Sequence, residues 1–211
     1  MLGQSISRNS LLLGLFAVAT TMLIAGTWLG TKERIATEQR KAEERALLEI
    51  VPAERHDNSM LDDTLAATTA AAGLGLREDK KIYLARLEGK VVAAIVPATA
   101  ADGYSGDIDL IVGINADGSI AGVRVLNHKE TPGLGDKVEL KKSDWVLSFN
   151  GRSLNKPAID GWAVKKDKGE FDQFTGATIT PRAVVAATLR ALQYAEANRE
   201  SIFGTETGGA D

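Results

Sequence analysis

The chain has 211 residues, 44% of them apolar and 25% charged, which is enough for one sizeable globular domain and some extra length. A formal net charge of −3 leaves no basic excess to neutralise phosphates and argues against a general nucleic-acid binder. There is no cysteine and there are only two histidines, His56 and His128, so thiolate chemistry, disulfides and cysteine-held metal centres are excluded and redox work requires an organic cofactor.

Residues 1–10 read as a short N-terminal tail. The run Leu11 to Gly30, LLLGLFAVATTMLIAGTWLG, carries no charge, and a helix of about 20 residues spans the roughly 30 Å hydrocarbon core of a bilayer. Its length favours an uncleaved anchor over a signal peptide, whose apolar region is about 7–15 residues and leads to a small-residue cleavage site. Trp28 suits the membrane interface. Arg8 lies before the span, whereas Lys32, Arg34, Arg40, Lys41 and Arg45 follow it, so the charge rule mildly favours a cytoplasmic C-terminal side.

Residues 31–79 read as a helical stalk or linker. Thr31 to Val51 is a charged helix ending at Pro52, with Ile35, Ala42, Ala46 and Ile50 near one face. A second helical piece is expected after an N-cap at Asn58 or Ser59, fading near Gly73 and Gly75.

Residues 80–203 form the expected folded domain. KIYLARLEGKVVAAIVPA reads as two strands joined at Glu88-Gly89, and DIDLIVGINADGSIAGVRVLNH as two more around Ala116-Asp117-Gly118. In the latter, Asp107 and Asp109 alternate only imperfectly with Ile108, Leu110 and Ile111. A short helix with Trp145 and Phe149, a candidate strand in GWAVKKD and a helix from about Pro181 to Ser201 follow, and residues 204–211 should fray. The fold class is α+β: a mainly antiparallel sheet with flanking helices, behind one transmembrane helix and a stalk.

Two stretches raise chemical questions. In His128 to Lys137, HKETPGLGDK, Leu134 sits between two glycines, Gly133 and Gly135, and after Pro132. By itself this reads as a surface turn; the alternative is a loop that offers amides and one apolar side chain to a planar ligand. His128 reads as solvated, because a neighbouring His–Glu pair with Glu130 is weak evidence of acid–base work. In Phe171 to Pro181, FDQFTGATITP, Thr180 reads as an N-cap with proline next. Thr175 and Thr178 lack that explanation, and Gly176 and Ala177 leave room beside them. A helix start attracts phosphate, and Lys165, Lys166, Lys168 and Arg182 are near in sequence to balance an anion.

DQFTGAT, Asp172 to Thr178, resembles the flavinylation motif of the FMN-binding domain family, and ETPGLG, Glu130 to Gly135, resembles the loop that lies beside the flavin in that family. With one anchor and this length, the chain resembles the G subunits of Rnf/Rsx electron-transport complexes. The C subunits of sodium-pumping NADH:quinone reductases, typically longer, are the near alternative. The resemblance implies FMN joined as a phosphoester to Thr178 by a flavin transferase. It places cofactor contacts at Glu130, Thr131, Gly133, Leu134, Gly135, Thr175, Gly176, Ala177 and Thr180, with the ring near Thr131 and Leu134. It further implies an electron carrier without substrate turnover of its own. The carrier would belong to an ion-translocating ferredoxin/NAD redox complex, with other membrane and peripheral subunits and lipid as partners. The domain would lie on the periplasmic side of a bacterial inner membrane, against the charge-based lean. A cofactor-free structural envelope subunit and a threonine-nucleophile hydrolase are the rivals from other classes; the hydrolase has only His128 to serve as a histidine base in the domain.

Overall fold

A computed structural model describes residues 2–68, 70–71 and 73–204. It divides into two compact units, residues 1–43 and 44–211. The first unit is most of helix α1 (Leu2–Leu48), which starts ahead of the apolar run and leaves no separate tail at 2–10. Leu11, Leu15, Phe16, Leu23, Ile24 and Trp28 are all exposed, and this is one helix long and apolar enough to cross a membrane. The hydroxyls of Thr21, Thr27 and Thr31 each donate to the carbonyl four residues back at 2.7, 2.7 and 2.8 Å. Threonine is therefore admissible in an apolar span, since no hydroxyl there looks for water. Of the four apolar positions expected on the charged stretch, Ile35 and Ala42 are exposed.

The second unit is built on a five-stranded antiparallel meander, β1 (Thr64–Ala67), β2 (Lys80–Leu87), β3 (Lys90–Gly103), β4 (Gly106–Asn115) and β5 (Ile120–Asn127), in the order of the sequence. The Glu88-Gly89 turn has positive φ at both residues, 52° and 77°, which matches the right-handed twist of the strands it joins. Helices α2 (Ile179–Ala197) and α3 (Arg199–Phe203) pack on one face of the sheet, over Ala94, Val96, Leu110 and Val112. The opposite face carries Tyr83, Ala85, Ala93, Ile95 and Ile111, covered by Leu47, Ile50, Val51 and Met60. Both faces of β3 and β4 are thus buried, which accounts for their apolar runs and for the poor alternation. Pro97 lies in β3 beyond the last residue paired to β2, where no ladder N–H is required.

Three expectations are corrected here. The described residues between Asn58 and Lys80 form no helix: Thr64–Ala67 is the edge strand β1. Asn58 is no N-cap but a bracket, its amide donating to Leu84 O and Asp63 at 2.9 Å while its carbonyl accepts from Arg86 N–H at 2.8 Å. GWAVKKD is not a strand: 3-10 turns at Ile159–Gly161 and Lys165–Asp167 replace it, with a lone bridge from Val164 to Phe171. The helical end breaks at Asn198 into α2 and α3. Of the expected frayed tail, 205–211 lies outside the described residues.

Ile50 is seated on the cross-strand glycine pair Gly113–Gly122, and a Cβ at Gly113 would stand 2.1 Å from Ile50 Cγ2. Gly113→Ala is therefore expected to destabilise the domain by about 1–3 kcal/mol through overpacking. Thermal unfolding of the detergent-solubilised chain checks this. In Gly113→Ala/Ile50→Ala the clash is gone, so the double variant should lose less stability than the two single losses added.

Candidate functional site

The two stretches singled out from the sequence meet at the start of α2. Thr131 O collects the N–H groups of Leu134 and Gly135, each at 3.1 Å, and closes the loop on itself. Gly133 has φ +79°, a value only glycine adopts without strain. Thr131, Pro132, Gly133 and Leu134 are exposed, whereas Gly135 and Asp136 are buried. A Cβ on Gly176 would lie 3.6 Å from Leu134 Cδ2, so the loop tip and the threonine motif adjoin.

Glu130 and Thr180 lock that junction. Both are buried, and the Thr180 hydroxyl donates to Glu130 Oε2 in a short hydrogen bond. Glu130 Oε1 accepts the N–H of Ser105, in the β3–β4 turn, at 2.9 Å. The carboxylate also stands at the positive end of the α2 dipole, which favours a negative charge. A Cβ on Gly135 would stand 2.8 Å from Thr180 Oγ1 and 2.9 Å from Glu130 Oε2, so no side chain fits where the loop returns over this pair.

Thr180 therefore does not cap the helix. The N-cap position falls on Thr178, whose backbone is already helical and whose side chain makes no capping hydrogen bond. Pro181 falls in that first turn, where its missing N–H breaks no helical bond. Thr178 is half-buried, its hydroxyl makes no hydrogen bond found among the described residues, and Thr175 and Gly176 before it are exposed. An uncommitted hydroxyl beside uncapped helix amides suits a phosphate group. One buried oxygen of Asp136, Oδ1, likewise has no hydrogen-bond partner among the described residues; Lys142 Nζ lies 3.8 Å from the other.

Behind the threonine motif stands an aromatic cluster. Phe171 stacks on Phe149 at 4.7 Å, Phe174 meets Trp145 edge-on at 5.1 Å, and Trp145 Nε1–H donates to Asp172 O at 2.7 Å. The turn at Lys165–Asp167 straps the motif from outside. Lys165 Nζ is 2.6 Å from Asp172, and Arg182 binds Asp167 through two hydrogen bonds of 2.5 and 2.6 Å. The Arg182 hydrogen bonds hold the Asp167 carboxyl below its ordinary range, so this pair stays ionised at neutral pH and releases only as pH falls through the lowered value. Of the cations expected to balance an anion, Lys165 and Arg182 are thus already paired. His128 is also not the solvated residue expected: its Nε2 lies 2.7 Å from Glu139 Oε1 and its side chain is largely covered. Ser105, Trp145 and Glu139 had no local signature that tied them to this place. Clefts of about 360 and 470 Å³ border the C-terminal half of α2, and neither is lined by a residue of the two loops.

The FMN-binding domain family matches residues 103–193, a span that holds both loops and most of α2, and the RnfG N-terminal region matches residues 1–50. The G subunit of the ion-translocating oxidoreductase complex from Pseudomonas aeruginosa (strain UCBPP-PA14) is 54% identical over 203 residues, covering 96% of this chain and 94% of the relative. Those of Pseudoalteromonas atlantica and Shewanella loihica are 50% and 48% identical, each covering 95% of this chain and 93% and 94% of the relative. The chain belongs to the G-subunit family of ion-translocating oxidoreductase complexes. That decides against the C-subunit reading, and the FMN-binding domain leaves no support for a cofactor-free or hydrolytic one.

In this member of the G-subunit family, Gly133 and Gly135 meet different constraints, so alanine should act differently at each. Gly135→Ala collides with the Glu130–Thr180 pair and should cost about 1–3 kcal/mol. Gly133→Ala meets no atom within 4 Å and should cost only the left-handed backbone term, about 1–2 kcal/mol. Circular dichroism melts of both proteins, each combined with Thr180→Ala, make the distinction. The Gly135 penalty should shrink once the hydroxyl is gone, and the Gly133 penalty should not.

Proposed function

We propose that this chain is the membrane-anchored electron carrier of an ion-translocating oxidoreductase complex and holds FMN as a phosphoester on Thr178. The observation that carries the reading is the free hydroxyl of Thr178 at the uncapped start of α2, next to the exposed Leu134. The ester forms from the Thr178 hydroxyl and the FMN phosphate with net loss of water, under a dedicated flavin transferase. FMN supplies reversible electron transfer, and the protein supplies place and surroundings. Thr131 and Leu134 offer a backbone and an apolar side chain to the ring, and Gly133, Thr175, Gly176 and Ala177 leave space for the chain that joins ring to phosphate. Gly135, Glu130 and Thr180 hold the two loops in register. α1 sits in lipid, and other members of the complex exchange electrons with the flavin.

Wild-type protein made with its flavin transferase should give a yellow-fluorescent band after denaturing electrophoresis, and peptide Gly169–Arg182 should gain the mass of FMN less water. Thr178→Ala should lose both signals while Thr175→Ala keeps the mass gain. Fluorescence that survives Thr178→Ala would move the attachment elsewhere.

We place the folded domain on the periplasmic side, on the strength of the family resemblance and against the weak charge asymmetry around the span. A reporter active only in the periplasm, fused after Asp211, should be active. Stable expression of an inactive fusion would reverse the placement.

A further inference from the structure

His128 and Glu139 have no part in the proposed flavin contacts, yet they grip the loop that makes them. His128 Nδ1 accepts the Glu130 N–H at 3.0 Å, and Nε2 lies 2.7 Å from Glu139 Oε1. Acceptance at Nδ1 puts the ring proton on Nε2, where it is directed at the Glu139 carboxylate. A carboxylate so placed fixes both the tautomer and the ring orientation of an imidazole.

Glu130 is then held at three points. His128 fixes its backbone N–H, Ser105 N–H one carboxylate oxygen, and the Thr180 hydroxyl the other. The next residue is Thr131, whose carbonyl receives the N–H groups of Leu134 and Gly135. With Glu130 held at its N–H and at both carboxylate oxygens, the root of the loop has little freedom, and Thr131 O, one residue on, holds Leu134 and Gly135 to it. His128 reaches the loop tip through this short covalent and hydrogen-bonded path. Its side chain is only 10% exposed, so water is a poor substitute acceptor for the Glu130 N–H.

We infer that His128, oriented by Glu139, is a positioning residue for the flavin: it sets the Glu130 backbone, and through it the place of Leu134 against the ring, and so tunes the flavin's midpoint potential. The inference rests on the proposed seat of FMN between Leu134 and Thr178. It goes beyond that reading by giving a function to two residues that do not touch the cofactor.

The test is a redox titration of full-length protein, co-expressed with the flavin transferase and purified in detergent, followed by flavin absorbance and by visible circular dichroism of the bound flavin. His128→Leu keeps the bulk and removes both polar contacts. His128→Asn restores an acceptor, since its Oδ1 stands near the place of Nδ1. Glu139→Ala releases the ring without touching the loop and serves if His128→Leu does not fold. The potential and the flavin dichroism should shift in His128→Leu and shift the same way in Glu139→Ala. His128→Asn should recover most of the shift. A potential and dichroism in His128→Leu or Glu139→Ala that match wild type would overturn the inference whatever the melting temperatures do, as would His128→Asn behaving like His128→Leu. Wild-type protein without FMN on Thr178 would overturn the functional reading and this inference together; FMN in place with an unmoved potential overturns the inference alone.

Discussion

The hydrogen bond between the buried Glu130 carboxylate and the Thr180 hydroxyl is the contact on which the candidate site depends. It joins positions 50 residues apart, one at the root of the ETPGLG loop and one in the first turn of α2. A buried carboxylate is tolerable only with partners, and here it has the Ser105 N–H, the Thr180 hydroxyl and the helix dipole. The same bond has a second effect. Thr180 is turned inward, so it cannot serve the helix amides, and the start of α2 remains uncapped. The Thr178 hydroxyl at that helix start makes no hydrogen bond among the described residues, which is the arrangement the proposed phosphate attachment uses.

The sheet makes that contact reproducible. Ser105 sits in the tight β3–β4 turn, and those strands are the most enclosed of the five, covered on one face by α2 and on the other by Leu47, Ile50 and Met60. Arg124 adds an ion pair from β5 to Glu49 at 2.9 Å, just past the end of α1. Leu47, Ile50, Val51 and Met60 are therefore part of the domain's packing and not of a mere spacer. The donor that fixes Glu130 stands on a frame with little freedom to move.

Local pattern carried some of this and not the rest. The hairpins at Glu88-Gly89 and Ala116–Gly118 were legible because their turn residues and flanking β-branched runs agree. Thr64–Ala67 was not, because TLAATTAAAG has the alanine content of a helix and becomes a strand only by pairing with β2. In GWAVKKD, the buried Trp162 and Val164 alternate as in a strand, yet Trp162 packs on the Phe171 ring and Val164 makes only an isolated bridge to that residue. Thr180-Pro181 has the look of a cap because sequence neighbours cannot reveal a carboxylate 50 positions away. His128 looked solvated for the same reason: its partner Glu139 lies 11 residues on, past the glycine turn that brings it back. The motif residues themselves were readable, and the partners that position them were not.

The exposure of the candidate site bears on what the proposed covalent link would add. Thr131 to Leu134, Thr175 and Gly176 are all exposed, so they form a shallow seat and not an enclosing pocket. A ligand that buries little of its surface binds weakly, since the apolar area removed from water must also offset the lost translational freedom. The proposed phosphoester at Thr178 would remove that requirement, because return of the ring to its seat would become an intramolecular step with a high effective concentration. The seat can then stay open toward partner subunits, as electron exchange demands. Deepening the pocket would raise affinity but cover the ring. On the proposed function, covalent attachment and exposure are thus one arrangement: the ester retains the flavin, while Leu134, held through Glu130, fixes where the ring rests.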